Sequence, residues 1–354
     1  MIGSFFEYPA ANTVTRCIKA NLLHHAEWNS LVMADTLPAA LNALLATSYG
    51  TVFDFSTVQQ DALPSMRDVE HGLHTHTISS LLKTLRFLHG TPAMLIIMLL
   101  RRYELLNIKK TLRRLSQPGR KQNRLAIPDY DLGHYGLARG PHWETITDTQ
   151  QLGRLLENTC YRNAYRDGLA AFGADNDLLV FESVLEKEYY TELNRCLEQL
   201  GFGEQEKLRT FTGSYLDEVC LTAFVRMKFQ HGMAAPAILP LLPIEGCLRF
   251  SEQLFWRIAD TGDEDACCGQ LKKERKWSVV AGDSLAETVQ GIRRRRRAAC
   301  RSTFLRGSPL GLGPMIAYYF LKEQEVREII ALLQTKRFQL PVLPEAYILA
   351  SEAA

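Results

Sequence analysis

No two cysteines of this chain stand in a C-x-x-C pair, although there are eight of them: Cys17, Cys160, Cys196, Cys220, Cys247, Cys267, Cys268 and Cys300. That scatter argues for reduced thiols in a cytosolic protein rather than a disulfide framework. Long hydrophobic runs are missing as well. The longest, "AMLIIMLL" at 93–100, falls far short of the roughly 20 residues that cross a bilayer, and "APAILPLLPI" at 235–244 is broken three times by proline. The first residues, "MIGSFFEYPAANTVTRC", lack the basic and then apolar regions of a secretory signal. A protein that is soluble, or that sits on a membrane without entering it, is expected. There is also little excess charge: 41 basic against 39 acidic residues leave +2, which is not the balance of a nucleic-acid binder. Any basic site must be local.

What is present is a globular composition, 354 residues that are 46% hydrophobic and 23% charged, enough for two or three domains. Most segments carry apolar residues at intervals of three and four. In 177–201, Leu178, Phe181, Leu185, Tyr189, Leu193, Cys196 and Leu200 fall on one stripe, and Gly201 stops the helix. Two stretches lack this period and read as linkers, 116–143 and 231–246.

The chain also resembles itself. "LLATSYG" from Leu44 matches "LLENTCYR" from Leu155, pairing Thr47 with Thr159 and Tyr49 with Tyr161; Glu70 and Glu182 follow each tyrosine by 21 residues. Then come "YELLNIKKTLRR" and "YLDEVCLTAFVRMK", each with an acid (Glu104, Asp217) and an arginine nine residues later (Arg113, Arg226). A fainter third copy runs through Leu254, Glu287 and Glu325. The period is too long for a solenoid and is itself domain-sized. Three homologous helical domains are expected: 1–116, 117–230 and 231–354.

"SPLGLGPMIAYYFLKEQEVREIIALLQTKRFQLP" at 308–341, "LRRYELLNIKKTLRR" and the N-terminal "YPAANTVTRCIKANLL" resemble the C subunit of V-type and A-type rotary ATPases, which is related to the d subunit of the eukaryotic enzyme. The most specific positions are Pro309, Gly311, Gly313, Pro314, Tyr318, Glu323, Glu325 and Arg327. The resemblance implies an all-α protein of three similar domains arranged with pseudo-threefold symmetry into a funnel. The funnel would seat the D and F subunits of the shaft, and its base would rest on the proteolipid ring at the cytoplasmic face of a membrane. It implies a coupling component that is not an enzyme and has no cofactor, no metal and no nucleic-acid partner. The family's usual asparagine is kept as Asn107 but replaced by Cys220 and Glu328, and Thr335 stands where a glycine is frequent.

Five consecutive arginines, Arg293, Arg294, Arg295, Arg296 and Arg297, form the most concentrated charge in the chain. Placed after Glu287 in a helix of the third copy, they read as a basic patch on a folded domain. With Arg113, Arg226 and Arg327 they are the candidate partner-binding residues; acidic groups of a neighbouring protein or anionic headgroups near the ring would suit them. The alternative is a free-standing helical scaffold that binds an acidic protein or nucleic acid through the same patch. The basic helix 101–114 reads as a solvated face opposite Leu105, Ile108 and Leu112. His71, His74 and His76, with no acid or cysteine at ligand spacing, read as a lightly packed surface rather than a metal site. Cys267 and Cys268 are neighbours that cannot both face one site. "GSPLGLGP" lacks the lysine of a phosphate loop and reads as a helix entrance with Pro314 in the first turn.

Overall fold

The computed structural model describes residues 4–52, 64–116, 129–137, 143–175 and 177–341, and among these every regular element is a helix, in agreement with the all-α expectation. Two short helices, α2 (His25–Met33) and α3 (Leu37–Leu45), follow α1 (Ser4–Cys17), and the long helices α4 (Met66–Leu85) and α5 (Gly90–Leu115) come next. The second series is α6 (Thr149–Leu156), α7 (Tyr161–Asp175), α8 (Leu178–Glu198) and α9 (Phe202–Val225). After α10 (Ala235–Ile238) the third runs α11 (Glu252–Ala259), α12 (Glu264–Lys273), α13 (Leu285–Arg306) and α14 (Gly313–Arg337).

Capping chemistry fixes the register of the three series more sharply than their hydrophobic residues do. Thr36, Asp148 and Ser251 cap α3, α6 and α11 by accepting from the amides of Ala39, Gln151 and Leu254. Each short helix stops at a threonine whose hydroxyl donates to the carbonyl three residues back: Thr47 to Leu44, Thr159 to Leu156, Thr261 to Ile258. Ser65, Asp177 and Ser284 likewise open α4, α8 and α13. Counted from these caps, Glu70 and Glu182 stand five residues in and Glu287 only three. Glu287 accepts from the amide of Asp283 at the helix entrance, whereas Glu182 is buried. The three glutamates aligned in the sequence are therefore not equivalent, and the caps are the better landmarks.

By contact the chain forms two compact units. The first contains α1 to α4 with α14; its core joins Trp28, Leu31, Leu41, Leu44, Tyr49 and Leu73 to Val326, Ile329 and Leu333. The second contains α5 to α13, with a core around Phe224, Phe250, Phe255, Leu271, Trp277 and Ile292. Ile238, Leu241 and Leu242 also enter that core, so the proline-bearing stretch 231–246 is a packed connector rather than a loose one. The other expected linker, 116–143, lies largely outside the described residues.

Within the units, the long helices pair across repeats: α5 packs on α8, α9 on α13, and α14 on α4. The last helix of the first and second series thus lies on the first long helix of the next, and α14 of the third lies on α4 of the first. The stripe read on α8 is buried at Phe181, Leu185, Tyr189, Leu193 and Cys196. Its neighbour α7 comes close because Gly168 has no side chain; a Cβ there would stand 2.1 Å from Phe181 Cδ2. Gly168→Ala should therefore force a backbone shift and cost about 1–3 kcal/mol, read as a lower urea midpoint at unchanged slope.

Candidate functional site

The three cross-repeat seams share one device, a buried carboxylate on the last helix that accepts from the backbone opening the following series. Glu104 on α5 accepts from the Leu137 amide at 2.7 Å. Asp217 on α9 accepts from the amides of Arg249 and Phe250 at 2.7 and 2.8 Å, and from the Arg249 guanidinium at 2.9 Å. Glu325 on α14 accepts from the Leu23 amide at 2.8 Å and the Tyr49 hydroxyl at 2.6 Å. Such charge-assisted bonds are stronger than neutral ones, and losing one would leave a buried charge uncompensated.

Two of the three ties also carry a counter-charge. Three residues before Glu325, Lys322 has no exposed surface; it donates to Glu325 and to the Asn21 carbonyl, and it lies 3.8 Å from the centre of the Tyr49 ring. Burial lowers its ammonium to about 8 despite the attraction of Glu325. His76 packs at 4.7 Å, centre to centre, on the same tyrosine and is lowered to about 3, first by burial and then by the charges of Lys322 and Lys83. In the α9 seam burial raises the Asp217 carboxyl, and the two amides and Arg249 offset this only in part.

The candidate arginines divide sharply. Helix α13 carries all five of the run, so none lies in a tail. Arg293 and Arg296 turn inward and grip the two oxygens of Glu218 on α9, each at 2.7 Å; Arg296 also lies over the Tyr215 ring. Arg294 and Arg295 are exposed and Arg297 is half-buried. Arg113 reaches Glu182 at 2.5 and 2.7 Å with its side chain 58% exposed, and Lys109 is buried between Glu182 and Glu186. The basic helix is thus not the solvated face expected: α8 supplies acids that bring its cations into the seam. Burial pushes Glu182 up, but the Arg113 hydrogen bond and the charges of Lys109 and Arg113 hold it below its ordinary value. Arg226 opens a π-helical turn (Arg226–Gln230) at the end of α9, and its Nε is enclosed without a hydrogen-bond partner among the described residues. Arg327 is half-buried on α14.

Sequence reasoning missed Glu218, Lys322 and the amide-accepting role of Glu104, Asp217 and Glu325. An acid and a cation at helical spacing inside an otherwise apolar face were the available signal. His71 stacks on Tyr130 and His74 meets its edge, a packed aromatic group, and the described residues contain no cluster suited to a metal ion. Both Cys267 and Cys268 are buried in α12. The glycine-rich stretch leads into α14 with Pro314 in the first turn, and Asn12 donates to the carbonyls of Pro309 and Gly311. No helix among the described residues is long and apolar enough to cross a membrane.

A profile of the family described as ATP synthase (C/AC39) subunit matches residues 11–342. Two similar proteins each carry the name of the C subunit of an A-type ATP synthase. The one from Methanocaldococcus jannaschii is 21% identical over 349 residues, covering 95% of this chain and 84% of that protein. The one from Methanothermobacter thermautotrophicus is 24% identical over 213 residues, covering 57% of this chain and 53% of that protein.

Two outcomes follow from the seams. Glu218→Gln leaves Arg296 charged in a buried site and should cost about 3–5 kcal/mol in urea unfolding, whereas Arg294→Glu should change stability by less than about 0.5 kcal/mol. The histidine sets an acid limit. Between pH 6.5 and about 3 the unfolded chain binds a proton at His76 that the folded chain does not, so stability falls as pH drops through this window. Glu182, with its lowered carboxyl, adds a further loss only below about 4.5. His76→Gln should flatten the urea midpoint between about pH 6.5 and 5 and leave the loss below about pH 4.5 in place.

Proposed function

Because the chain belongs to the ATP synthase (C/AC39) subunit family, we propose that it is the non-catalytic central-stalk rotor component of a V/A-type ATPase, coupling the D–F shaft to the membrane proteolipid ring. The family is one of structural subunits of ATP synthase complexes. In this reading ATP hydrolysis in the head turns the shaft, this chain passes the torque on, and the ring carries ions; synthesis runs the same sequence backwards. The protein sits peripherally, on the cytoplasmic face of the membrane.

One observation carries the mechanical part of the proposal, the carboxylate-to-amide tie repeated at Glu104, Asp217 and Glu325. A coupler must resist slip between its parts, and three close-packed helical domains tied in cyclic order are suited to that. We take these as three similar domains around a pseudo-threefold axis, forming a funnel. The turns joining the two long helices of each series expose apolar side chains: Phe87 in the first, Phe202, 80% exposed, in the second, Leu305 and Leu310 in the third. Exposed apolar tips of this kind suit contact with the ring, and Arg294 and Arg295, exposed on α13, are available to acidic groups of a partner.

The test is assembly. Purified chain mixed with the D–F shaft or with proteolipid rings from the same source should co-migrate with both, and omission should abolish ATP-driven ion transport while the head still hydrolyses ATP. Binding to neither would end the reading. Arg294→Glu with Arg295→Glu should weaken capture by about tenfold, and Phe202→Ser should weaken capture by the ring alone; unchanged capture would make these positions plain surface.

A further inference from the structure

The Sγ atoms of Cys220 and Cys247 lie 3.5 Å apart, one on the buried face of α9 and the other on the connector that leads to α11. The contact is held from both sides. Gly246 takes φ +85°, and a Cβ on it would meet Asn194 Oδ1 at 2.3 Å, so the turn before Cys247 has little freedom. Just beyond, the Leu248 amide donates to the Gly213 carbonyl, and the amides of Arg249 and Phe250 donate to Asp217. Cys247 is therefore pinned beside α9 between a left-handed glycine and the carboxylate tie, and it is partly exposed while Cys220 is fully buried.

We propose that Cys220 and Cys247 are a reversible oxidation site at which hydrogen peroxide closes a disulfide between α9 and the connector. The partly exposed Cys247 reacts first: its sulfur takes one peroxide oxygen, the O–O bond breaks, and water leaves a sulfenic acid. The Cys220 sulfur then displaces that hydroxyl, forming the S–S bond and releasing a second water. Two thiols lose two electrons, the peroxide gains them, and a dithiol reductant reverses the change. The sulfurs need to close by roughly 1.5 Å to reach a bond of about 2.05 Å. The hydrogen bond with Cys220, then burial, raises the Cys247 thiol above its ordinary value. Closure is accordingly slow and accelerates with pH, as suits a response to sustained oxidant.

The oxidised form carries a covalent link beside the non-covalent Asp217 tie. The test uses the reduced full-length chain treated with hydrogen peroxide, quenched with N-ethylmaleimide in denaturant, digested and mapped by mass spectrometry. The expected product is one peptide pair joining Cys220 to Cys247, with both thiols recovered after dithiothreitol, and a higher melting temperature before reduction than after. Cys247→Ser should leave Cys220 fully alkylated; Cys220→Ser should leave Cys247 trappable as a sulfenic acid. Recovery of both thiols as alkylated peptides at a dose that oxidises the exposed Cys17, or linkage of Cys247 to another cysteine, overturns the proposal.

Discussion

The structure depends on a carboxylate placed where none is cheap. On each of α5, α9 and α14 an acid is buried within a mostly apolar helix face, and its desolvation is offset by backbone amides from the start of the next series. Such a bond does not add much net stability over an apolar pair, but it admits one register. A long helix that slid by a turn would remove the acceptor from its amides and leave both unsatisfied. The apolar contacts supply most of the driving force, and the carboxylates decide which contacts form.

The cations follow the same logic. Lys322 serves Glu325 from within the same helix, Arg249 serves Asp217 from the incoming backbone, and Arg293 and Arg296 serve the neighbouring Glu218 from α13. One problem, a buried acid at a seam, is answered with a different cation each time. That is why the repeats look alike in their caps and turns and unlike in their charges. The arginine run makes the same point on one helix. Because α13 advances about 100° per residue, five consecutive side chains are distributed around it, two into the seam and two into water. A run that reads as one feature is at least two.

Much of the fold was legible in the sequence. The period of three and four gave the helices, and Thr47, Tyr49, Thr159 and Tyr161 kept a register that the caps confirm. The resemblance of 308–341 to the C subunit of rotary ATPases is consistent with the family match across the chain. The third series was blurred because Glu287 invited alignment with Glu182, whereas Ser284 is the residue equivalent to Asp177. The seams were not legible for a physical reason: a partner such as Glu186 for Lys109, or Leu23 for Glu325, is set by which helices pack, and composition says nothing about that. Lys109 looked like a solvated cation because its acids lie on α8. The thiol contact of Cys220 with Cys247 was hidden in the same way, behind a glycine turn.

Whether all three carboxylate ties hold together in the folded chain can be read one amide at a time. Hydrogen exchange at Leu23, Leu137 and Phe250 does so, since each of these amides lies outside the helical ladders and owes its protection to a single side chain. The three amides should exchange as slowly as the interiors of the long helices, and Glu104→Ala, Asp217→Ala or Glu325→Ala should release only the amides that each one holds. Exchange of any of the three at the rate of an open loop in the unaltered chain would contradict the ties as the basis of the fold.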